Sequence, residues 1–389
     1  MGNKQGCCFT KDVNLNLEFN AGRDDFIRKI KSKENVKKIT KIQAIWKSGK
    51  ARLKLGNKLK NIISKYKGCF QYFNLQEIRP GVRELNNNET SAQLHPKVKE
   101  ILSNIGPFMI EDKEKAILTS HKLISKGYVL MENNVIYKGF WSMKGDREGY
   151  GELFYTDGSK FEGFFVNDTM SGRGRIINVQ GDYYEGELFN DKANGVGKYI
   201  SAEGVTYMGY WENDKQHGKG EEIYPDGSRF EGQFINGDKN GRGKFIWQDG
   251  SIYDGNFNKN AINGKGVYRW KDGRMFRGDW VNNKMEGYGV FIWPDKKKYI
   301  GMYKEDKKSG YGIFYWPDGR KYEGSWLKGK QNGYGIMTIN GMKRYGEWKY
   351  GKKIRWINEN SEDFESNFGK FNQLFNQEFF KSMNSEGNL

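Results

Sequence analysis

The chain has 389 residues, of which 36% are hydrophobic and 15% are aromatic, and it contains 51 glycines. This composition excludes a conventional large aliphatic core and favours aromatic rings laid on a sheet. The three cysteines (Cys7, Cys8 and Cys69) exclude a disulfide framework, and no apolar run is long enough for a signal peptide or a membrane span.

The net charge of +17 is concentrated at the N-terminus. Residues 1–70 contain 18 Lys or Arg against five acids, which gives +13 and leaves +4 for the remaining residues. A basic arm on a nearly balanced body predicts an acidic partner for the arm, such as anionic lipid, calmodulin or nucleic acid.

Residues 1–23 begin "MGNKQGCC", which is similar to an acylation signal. Gly2 is the acceptor that N-myristoylation requires, although Gly6 stands where Ser or Thr is usual. Cys7 and Cys8 lie where a second acyl chain, a palmitate, would be added, and one chain alone binds membranes only marginally. The alternative is an unmodified start of the chain.

Residues 24–68 have the pattern of a basic helix. Asp24 and Asp25 favour a helix start and Gly68 an end, and an apolar stripe runs between them. Within this helix "IQAIWKSGKAR" resembles the calmodulin-binding IQ motif, and its candidate contact residues are Ile42, Gln43, Trp46, Lys47 and Arg52. A calmodulin-like EF-hand protein and an anionic membrane surface would both accept such a helix. A purely solvated helix is the alternative, and the lack of an aromatic platform disfavours nucleic acid.

Residues 69–126 form a bridge with one short helix in "HPKVKEILSNIGPF". Pro96 suits the first turn, and Gly106 followed by proline ends the helix. We expect this helix to cap the start of the next region.

Residues 127–356 contain an internal repeat, the feature that decides a fold wherever it occurs. With the first aromatic residue of each unit as offset 0, glycine falls at +2 in all nine complete units, and a Gly-x-Gly follows at +11 and +13, shifted by one in the first unit. The spacing is 24 residues once and then 23 residues eight times. The units open at Tyr137, Phe161, Tyr184, Tyr207, Phe230, Tyr253, Phe276, Tyr299 and Tyr322, and a frayed unit opens at Tyr345.

The parity of these offsets predicts two strands per unit. Offsets 0, +2 and +4 fall on one face of the first strand, and we expect +11, +13, +15 and +17 to share one face of the second. A strand glycine marks a close approach, which we assign to a ring of the neighbouring strand. The residues that represent this pattern are Tyr137, Gly139, Tyr207, Gly209, Trp211, Tyr299, Gly301, Tyr322, Gly324 and Trp326.

Two kinds of turn separate these strands. Asp-Gly pairs such as Asp226-Gly227 are hairpin signals, because glycine takes positive φ without penalty, and Lys296 replaces that glycine in one unit. Stretches such as "NDKQHG" predict a longer polar turn. Acids at offset +1, among them Glu162, predict a solvated and salt-bridged opposite face.

Residues 357–389 carry phenylalanines at helical spacing, at positions 364, 368, 371, 375 and 379. They predict an amphipathic helix that covers the last hairpins or docks on a partner.

The pattern Y-x-G-x-W, G-x-G, D-G-x-x-Y resembles the MORN repeat (membrane occupation and recognition nexus), in a protist-type protein with an acylatable N-terminus and an IQ-like motif. "YMGYWENDKQHGKGEEIYPDGSRF" from Tyr207 is close to an ideal copy. The predicted fold is mainly β, an elongated antiparallel ribbon of about nine β-hairpin repeats with α-helical N-terminal and C-terminal extensions.

The resemblance implies a non-enzymatic scaffold or adaptor without cofactor or metal. We expect it in the cytoplasm, peripheral on the inner membrane face or at the cilium or cytoskeleton, with protein partners. The alternatives are a ciliary or axonemal component without a lipid anchor, and an accessory subunit of a phosphoinositide kinase. The sequence leaves the partner and the oligomeric state open.

Overall fold

A computed structural model of the chain describes residues 79, 81–86, 94–120 and 123–358. Within them the chain divides into two compact units. The N-terminal unit contains the described residues up to Gly227 together with Gln233–Gly237. The C-terminal unit contains Ser228–Gly232 and the described residues from Asp238 onward.

The N-terminal unit contains both described helices and ten strands. They are β1 (Arg83–Glu84), α1 (Pro96–Ile105), α2 (Asp112–Ser120), β2 (Ile124–Leu130), β3 (Ile136–Trp141), β4 (Arg147–Phe154), β5 (Lys160–Val166), β6 (Thr169–Ile177), β7 (Tyr183–Phe189), β8 (Lys192–Ile200), β9 (Thr206–Glu212) and β10 (Lys215–Ile223).

The C-terminal unit contains eleven strands, and β11 (Arg229–Ile235) has residues in both units. The eleven are β12 (Asp238–Ile246), β13 (Ile252–Asn258), β14 (Ala261–Arg269), β15 (Met275–Val281), β16 (Lys284–Ile292), β17 (Lys298–Lys304), β18 (Lys307–Tyr315), β19 (Lys321–Leu327), β20 (Lys330–Ile339), β21 (Met342–Lys349) and β22 (Lys352–Ile357).

Each strand pairs with the next one along the chain, from β1 to β10 in one unit and from β12 to β22 in the other. All of these pairings are antiparallel. The prediction of a mainly β fold built from consecutive hairpins is therefore confirmed. The helix predicted for 24–68 lies outside the described residues. So does the helix predicted for 357–389, except for its first two residues, of which Ile357 ends β22.

The turn inside each repeat from the second onward is shorter than the sequence predicted. Asn213 and Asp214 have φ of 49° and 67°, and β10 begins at the very next residue. Positive φ at both central residues is the signature of a two-residue type I′ turn, whose twist matches that of the flanking strands. The prediction of a longer polar turn in "NDKQHG" is wrong, because its last four residues belong to the strand.

In six of these turns a side chain also binds the preceding hairpin. The carboxylate of Asp214 accepts a hydrogen bond of 2.8 Å from the backbone N–H of Ala193, 21 residues earlier. Acceptors at the same place in other repeats are Asp168, Asp191, Asn260, Asn283 and Asp306. The turns thus link successive hairpins as well as closing each one.

The aromatic residue at offset 0 covers two glycines. Tyr207 lies over Gly209 of its own strand and over Gly220, the residue paired with Gly209 on β10. A Cβ atom at either glycine would lie 2.5 Å from the Tyr207 hydroxyl oxygen. From the sequence, we expected each strand glycine to be covered only by a ring of the neighbouring strand. In the structure one ring covers a glycine on its own strand and a glycine on the neighbouring strand.

Glycines at offset +11 have a different function from those at +13. Gly218 has φ of 64° and lies in a β-bulge between Gln216 and Gly220. A Cβ atom there would approach Tyr210, on the face opposite Tyr207. The expectation that offsets +11 and +13 share a face is wrong, because the bulge and the left-handed backbone reverse the side-chain direction.

Helix α1 packs on this opposite face, against β6 to β8. Val98 is fully buried and packs with Ile177 and Tyr183. The helix begins with the His95 side chain accepting from the Lys97 N–H, and Gly106 follows its last residue with φ of 74°. A second layer therefore covers part of the sheet in the N-terminal unit.

Candidate interaction surface

The repeat residues singled out by the sequence form a tightly packed ring face. Tyr137, Tyr207, Tyr299 and Tyr322 are fully buried, and each hydroxyl donates to the backbone carbonyl three residues ahead, as Tyr207 does to Tyr210 at 2.9 Å. The indole N–H groups of Trp211 and Trp326 donate to Gly197 and Gly312. Gly139, Gly209, Gly301 and Gly324 lie under these rings.

Burial fixes the protonation state of these tyrosines. Loss of hydration raises the pKa of Tyr137, Tyr207 and Tyr322 far above its ordinary value of 10.0. The hydroxyls therefore stay neutral well above physiological pH, and they are committed to intramolecular hydrogen bonds. They hold the sheet together and are not accessible to a ligand.

The opposite face of the N-terminal unit holds the α1–α2 segment through two arginines. Arg175 donates to the Gly106 carbonyl at 2.8 Å, where α1 has just ended. Arg173 donates to the Met109 carbonyl at 2.6 Å and pairs with Glu114 of α2 at 2.8 Å. Ion pairs of this kind orient a segment more than they stabilise it.

The same face contains a buried ion pair that the sequence placed in solvent. Glu162 is only 6% exposed, and its carboxylate lies 2.5 Å from the Arg175 guanidinium. The prediction of a solvated face is wrong at Glu162, because the α1–α2 segment covers this part of the sheet. At Asp254 the prediction agrees with the structure, since this side chain is 44% exposed and pairs with Arg242 at 3.5 Å.

Beside the α1–α2 segment lies an open cavity of about 450 Å³. Its polar lining includes Arg173, Glu185 and Lys198, and its apolar lining includes Phe108 and Met208. An exposed apolar patch adjoins it on β8 and β9, formed by Val196 (48% exposed), Met208 (54%) and Tyr210 (55%). Val196 pairs directly with Tyr210 in the sheet, so the patch is continuous.

Four indoles form a row along the ends of alternate strands in the C-terminal unit. Trp247, Trp270, Trp293 and Trp316 each come directly after an even-numbered strand, 23 residues apart, and all four are half-buried. Tyr268, Phe291 and Phe314 bridge successive indoles, with centroid distances from 4.3 to 5.6 Å. We call these four tryptophans the indole row.

Comparison with protein families identifies the repeat. The sequence model of the MORN repeat matches nine consecutive segments, which together cover about half of the chain. The chain belongs to the MORN repeat family. The matched residues are 137–160, 161–183, 184–206, 207–229, 230–252, 253–273, 276–298, 299–319 and 322–341.

Solved structures show only remote likeness to this MORN protein. The TCP10 domain of Danio rerio CPAP is 14% identical with a TM-score of 0.30, covering 51% of this chain and 93% of that chain. The G-box domain of the microcephaly protein CPAP is 13% identical with a TM-score of 0.30, covering 46% and 93%. The Drosophila melanogaster Sas-4 TCP10c domain is 14% identical with a TM-score of 0.25, covering 40% and 93%. Nothing about function follows from likenesses this weak, and comparison with curated protein sequences finds no match.

The lipidation residues Gly2, Cys7 and Cys8 and the calmodulin-binding residues Ile42, Gln43, Trp46, Lys47 and Arg52 lie outside the described residues. They remain predictions. Among the described residues, no three His, Cys, Asp or Glu side chains are grouped so as to bind a metal ion. In the same part of the chain, no helix combines the length and the apolar character needed to cross a bilayer.

The sequence analysis missed the indole row and the apolar patch. The tryptophans were visible as a residue type recurring at offset +17 in four consecutive units. In the common pattern of the repeats, packing alone accounts for an aromatic residue at this offset, so the pattern does not indicate that these tryptophans differ from the other rings. Val196, Met208 and Tyr210 share no repeat offset that would single them out.

Proposed function

We propose that this MORN protein is a non-enzymatic scaffold that binds protein partners through its repeat sheet and attaches to the inner face of a membrane through its N-terminal arm. MORN repeats are non-catalytic, which is consistent with this function. The observation that carries the protein-binding part is the exposed apolar patch of Val196, Met208 and Tyr210. Contiguous apolar side chains in solvent are typical of protein contacts.

The rigidity of the sheet supports the same proposal. The ring face uses its aromatic side chains and hydroxyls internally, so the surface available to partners is the opposite face and the sheet edge. A partner that docks on the patch would meet side chains already fixed by strand pairing. Little ordering entropy would then be lost on binding.

The membrane part of the proposal rests on the N-terminal sequence. An acyl chain on Gly2, a second on Cys7 or Cys8 and the basic segment 24–68 are three signals that act additively, whereas one alone gives marginal binding. The segment with Ile42, Gln43 and Arg52 would recruit a calmodulin-like protein. Lipid and calmodulin would then compete for one positive face.

Fractionation of cells that express the full chain tests the anchor. Wild-type protein should be recovered with membranes, and a variant with Gly2→Ala, Cys7→Ser and Cys8→Ser should move to the soluble fraction. Retention of both proteins in a detergent-insoluble fraction would instead support a ciliary or cytoskeletal component without a lipid anchor.

A calmodulin titration of the full chain tests the second function of the arm, with and without calcium. The variant that combines Ile42→Ala with Gln43→Ala should bind at least tenfold more weakly than the wild type. Absence of wild-type binding in both conditions would eliminate calmodulin as a partner.

A further inference from the structure

We propose that the segment 364–379 docks on its own chain, on the face opposite the rings in the last three repeats. Its phenylalanines have the spacing of one helix face, and that spacing alone leaves open whether the segment covers the sheet or binds a partner. The surface that we assign to it, called the C-terminal patch, consists of Tyr288, Val290, Tyr311, Ile313, Tyr334 and Ile336. The proposal goes beyond the scaffold function and does not depend on it.

Residues at two offsets distinguish these repeats from earlier ones. Offset +12 is tyrosine and offset +14 is valine or isoleucine in the seventh, eighth and ninth repeats. The fourth and fifth repeats have charged residues at the same two offsets, which are Lys219, Glu221, Arg242 and Lys244. Strand pairing does not explain the difference, because Lys244 pairs with Asp254 in the same register in which Val290 pairs with its neighbour on β17. A change from charged to apolar residues on one face of a sheet indicates that this face is covered.

The apolar side chains of the patch continue across neighbouring strands. Val290 pairs with Ile300 of β17, and Ile300 pairs with Ile313 of β18. Glu323 of β19 lies between Ile313 and Ile336, and its carboxylate pairs at 2.7 Å with the lysine two residues earlier. The patch reaches from β16 to β20, which is four strand spacings or about 19 Å.

Burial also distinguishes the patch from the rest of this face. Ile313 is only 6% exposed, whereas Lys244 at the same offset is exposed. In the N-terminal unit the residue at this offset is buried where the α1–α2 segment covers it, since Arg175 is 3% exposed and donates to the Gly106 carbonyl. Burial raises the pKa of the Tyr311 hydroxyl in the same way as on the ring face. Ile313 therefore has the burial of a covered position.

Helix α1 shows how a helix packs on this face. Its Val98 contacts Ile177 and Tyr183, which are directly paired neighbours on β6 and β7. The C-terminal patch contains a similar row of paired apolar neighbours on β16, β17 and β18. As a helix, the stretch from Phe364 to Phe379 would be about 22 Å long at about 1.5 Å per residue, which is close to the width of the patch.

The position of the segment favours it over a second copy or a separate protein. The last strand, β22, lies two strands from β20, a distance of about 10 Å. Residues 358–363 lead from the end of β22 to Phe364, and an extended chain of this length spans about 20 Å. Because the segment is attached to the same chain, its effective concentration at the patch is high.

Charge complementarity supports the same occupant. Residues 359–389 contain six acids and two lysines. Lys298, Lys321 and Lys343 lie in one row across β17, β19 and β21, on the same face as the patch. Opposite charges beside an apolar contact fix the orientation of the segment more than they strengthen its binding.

Hydrogen exchange of the full-length protein, followed by mass spectrometry, tests the docking. The amides of 364–379 should be protected in the wild type and should exchange about tenfold faster in Ile313→Lys, which replaces a buried contact by the residue that the fifth repeat has at this offset. Phe371→Lys should have the same effect from the side of the segment. It leaves the sheet unchanged, so it decides the question should Ile313→Lys not fold.

Two matched variants control for the added charge. Ile223→Lys makes the same substitution on the same face of the N-terminal unit, where Ile223 is 40% exposed on β10. Gln373→Lys adds a lysine on the side of the predicted helix away from the phenylalanines. Both should change the exchange of 364–379 by less than about twofold. Protection of the amides of β3 to β8 shows whether each variant is folded.

A photo-reactive phenylalanine analogue in place of Phe371 identifies the surface. Irradiation should crosslink it to residues of the C-terminal patch in the same molecule. Crosslinks to the ring face or to the N-terminal unit would overturn the proposal, as would wild-type exchange of 364–379 as fast as in Ile313→Lys. Protection that is lost on about hundredfold dilution, together with crosslinked dimers, would assign the patch to a second copy and overturn it too. The membrane fractionation and the calmodulin titration use other residues, so either proposal can fail while the other stands.

Discussion

Replacing a covered glycine should loosen one hairpin by an amount that the structure allows us to calculate. In Gly209→Ala the new methyl group would lie 2.5 Å from the Tyr207 hydroxyl oxygen, 2.6 Å from the Cα atom of Gly220 and 2.7 Å from the Lys219 carbonyl oxygen. Two of these three atoms belong to the backbone of the paired strand, so the clash cannot be relieved by a side-chain rotation. Overpacking of this kind costs about 1–3 kcal/mol.

Displacement of the ring adds to that cost. Tyr207 would lose its hydrogen bond to the Tyr210 carbonyl, about 1 kcal/mol, and weaken its edge contacts with Trp211 and Phe234 at 5.2 and 5.1 Å. We expect a loss of about 3 kcal/mol in the free energy of unfolding. For a unit of this size that corresponds to roughly 6–12 °C in Tm.

Two other glycines of the same unit separate the possible causes. Gly127→Ala places a methyl group in open space at ordinary φ and should be neutral or slightly stabilising. Gly204→Ala forces alanine to a φ of 87° with only Pro225 in ordinary contact at 3.5 Å, and it should cost about 1–2 kcal/mol. Urea unfolding followed by near-UV circular dichroism measures all three. If Gly209→Ala were no less stable than Gly127→Ala, the assignment of these glycines as sites covered by rings would be refuted.

Three further predictions concern the turns and the buried tyrosines. Asp214→Ala should cost about 1–2 kcal/mol in urea unfolding because the Ala193 N–H loses its acceptor, whereas Asp214→Asn, which retains an acceptor, should cost less than half as much. Lys296→Gly should raise stability by about 0.5–1 kcal/mol, since lysine there is held at a φ of 66°, and an unchanged Tm would contradict this. Burial raises the pKa of Tyr137, Tyr207 and the tyrosines like them above 10.0, so their stabilisation is complete below about pH 10 and is lost as the pH rises further. Absorbance at alkaline pH should therefore show that the buried fraction of the tyrosines ionises only together with unfolding, and ionisation of every tyrosine while the protein is still folded would contradict the burial.

The regular spacing of Tyr207, Gly209 and Trp211 was sufficient to predict strands, their antiparallel pairing and the repeat family. It was sufficient because side-chain parity in a strand is fixed by backbone geometry. The same parity argument failed at Gly218, where a bulge and a positive φ reverse the side-chain direction. The length predicted for the two-residue turn at Asn213 was also wrong. The residues that follow this turn in the strand are polar, so in the sequence they cannot be distinguished from a continuation of the turn.

Burial of the opposite face could not be predicted, because it depends on contacts across long sequence separations. Arg173 and Arg175 hold the chain after α1 from more than 60 residues away, and nothing local to Glu162 indicates that it will be covered. The apolar patch and the indole row could not be predicted from the repeat pattern for a related reason. The repeat constrains offsets 0, +2, +4, +11 and +13, and it leaves most of the opposite face and offset +17 free to vary.

Residues at free positions carry whatever distinguishes one repeat from another. In the N-terminal unit those positions supply the arginines that hold the α1–α2 segment and, on β8 and β9, the exposed Val196, Met208 and Tyr210. In the C-terminal unit they supply the indole row. A pattern averaged over all repeats contains neither set of residues, since neither Arg175 nor Trp293 belongs to the common pattern. Comparison of repeats within one chain, position by position, is therefore the way to separate residues that bind partners from residues that build the sheet.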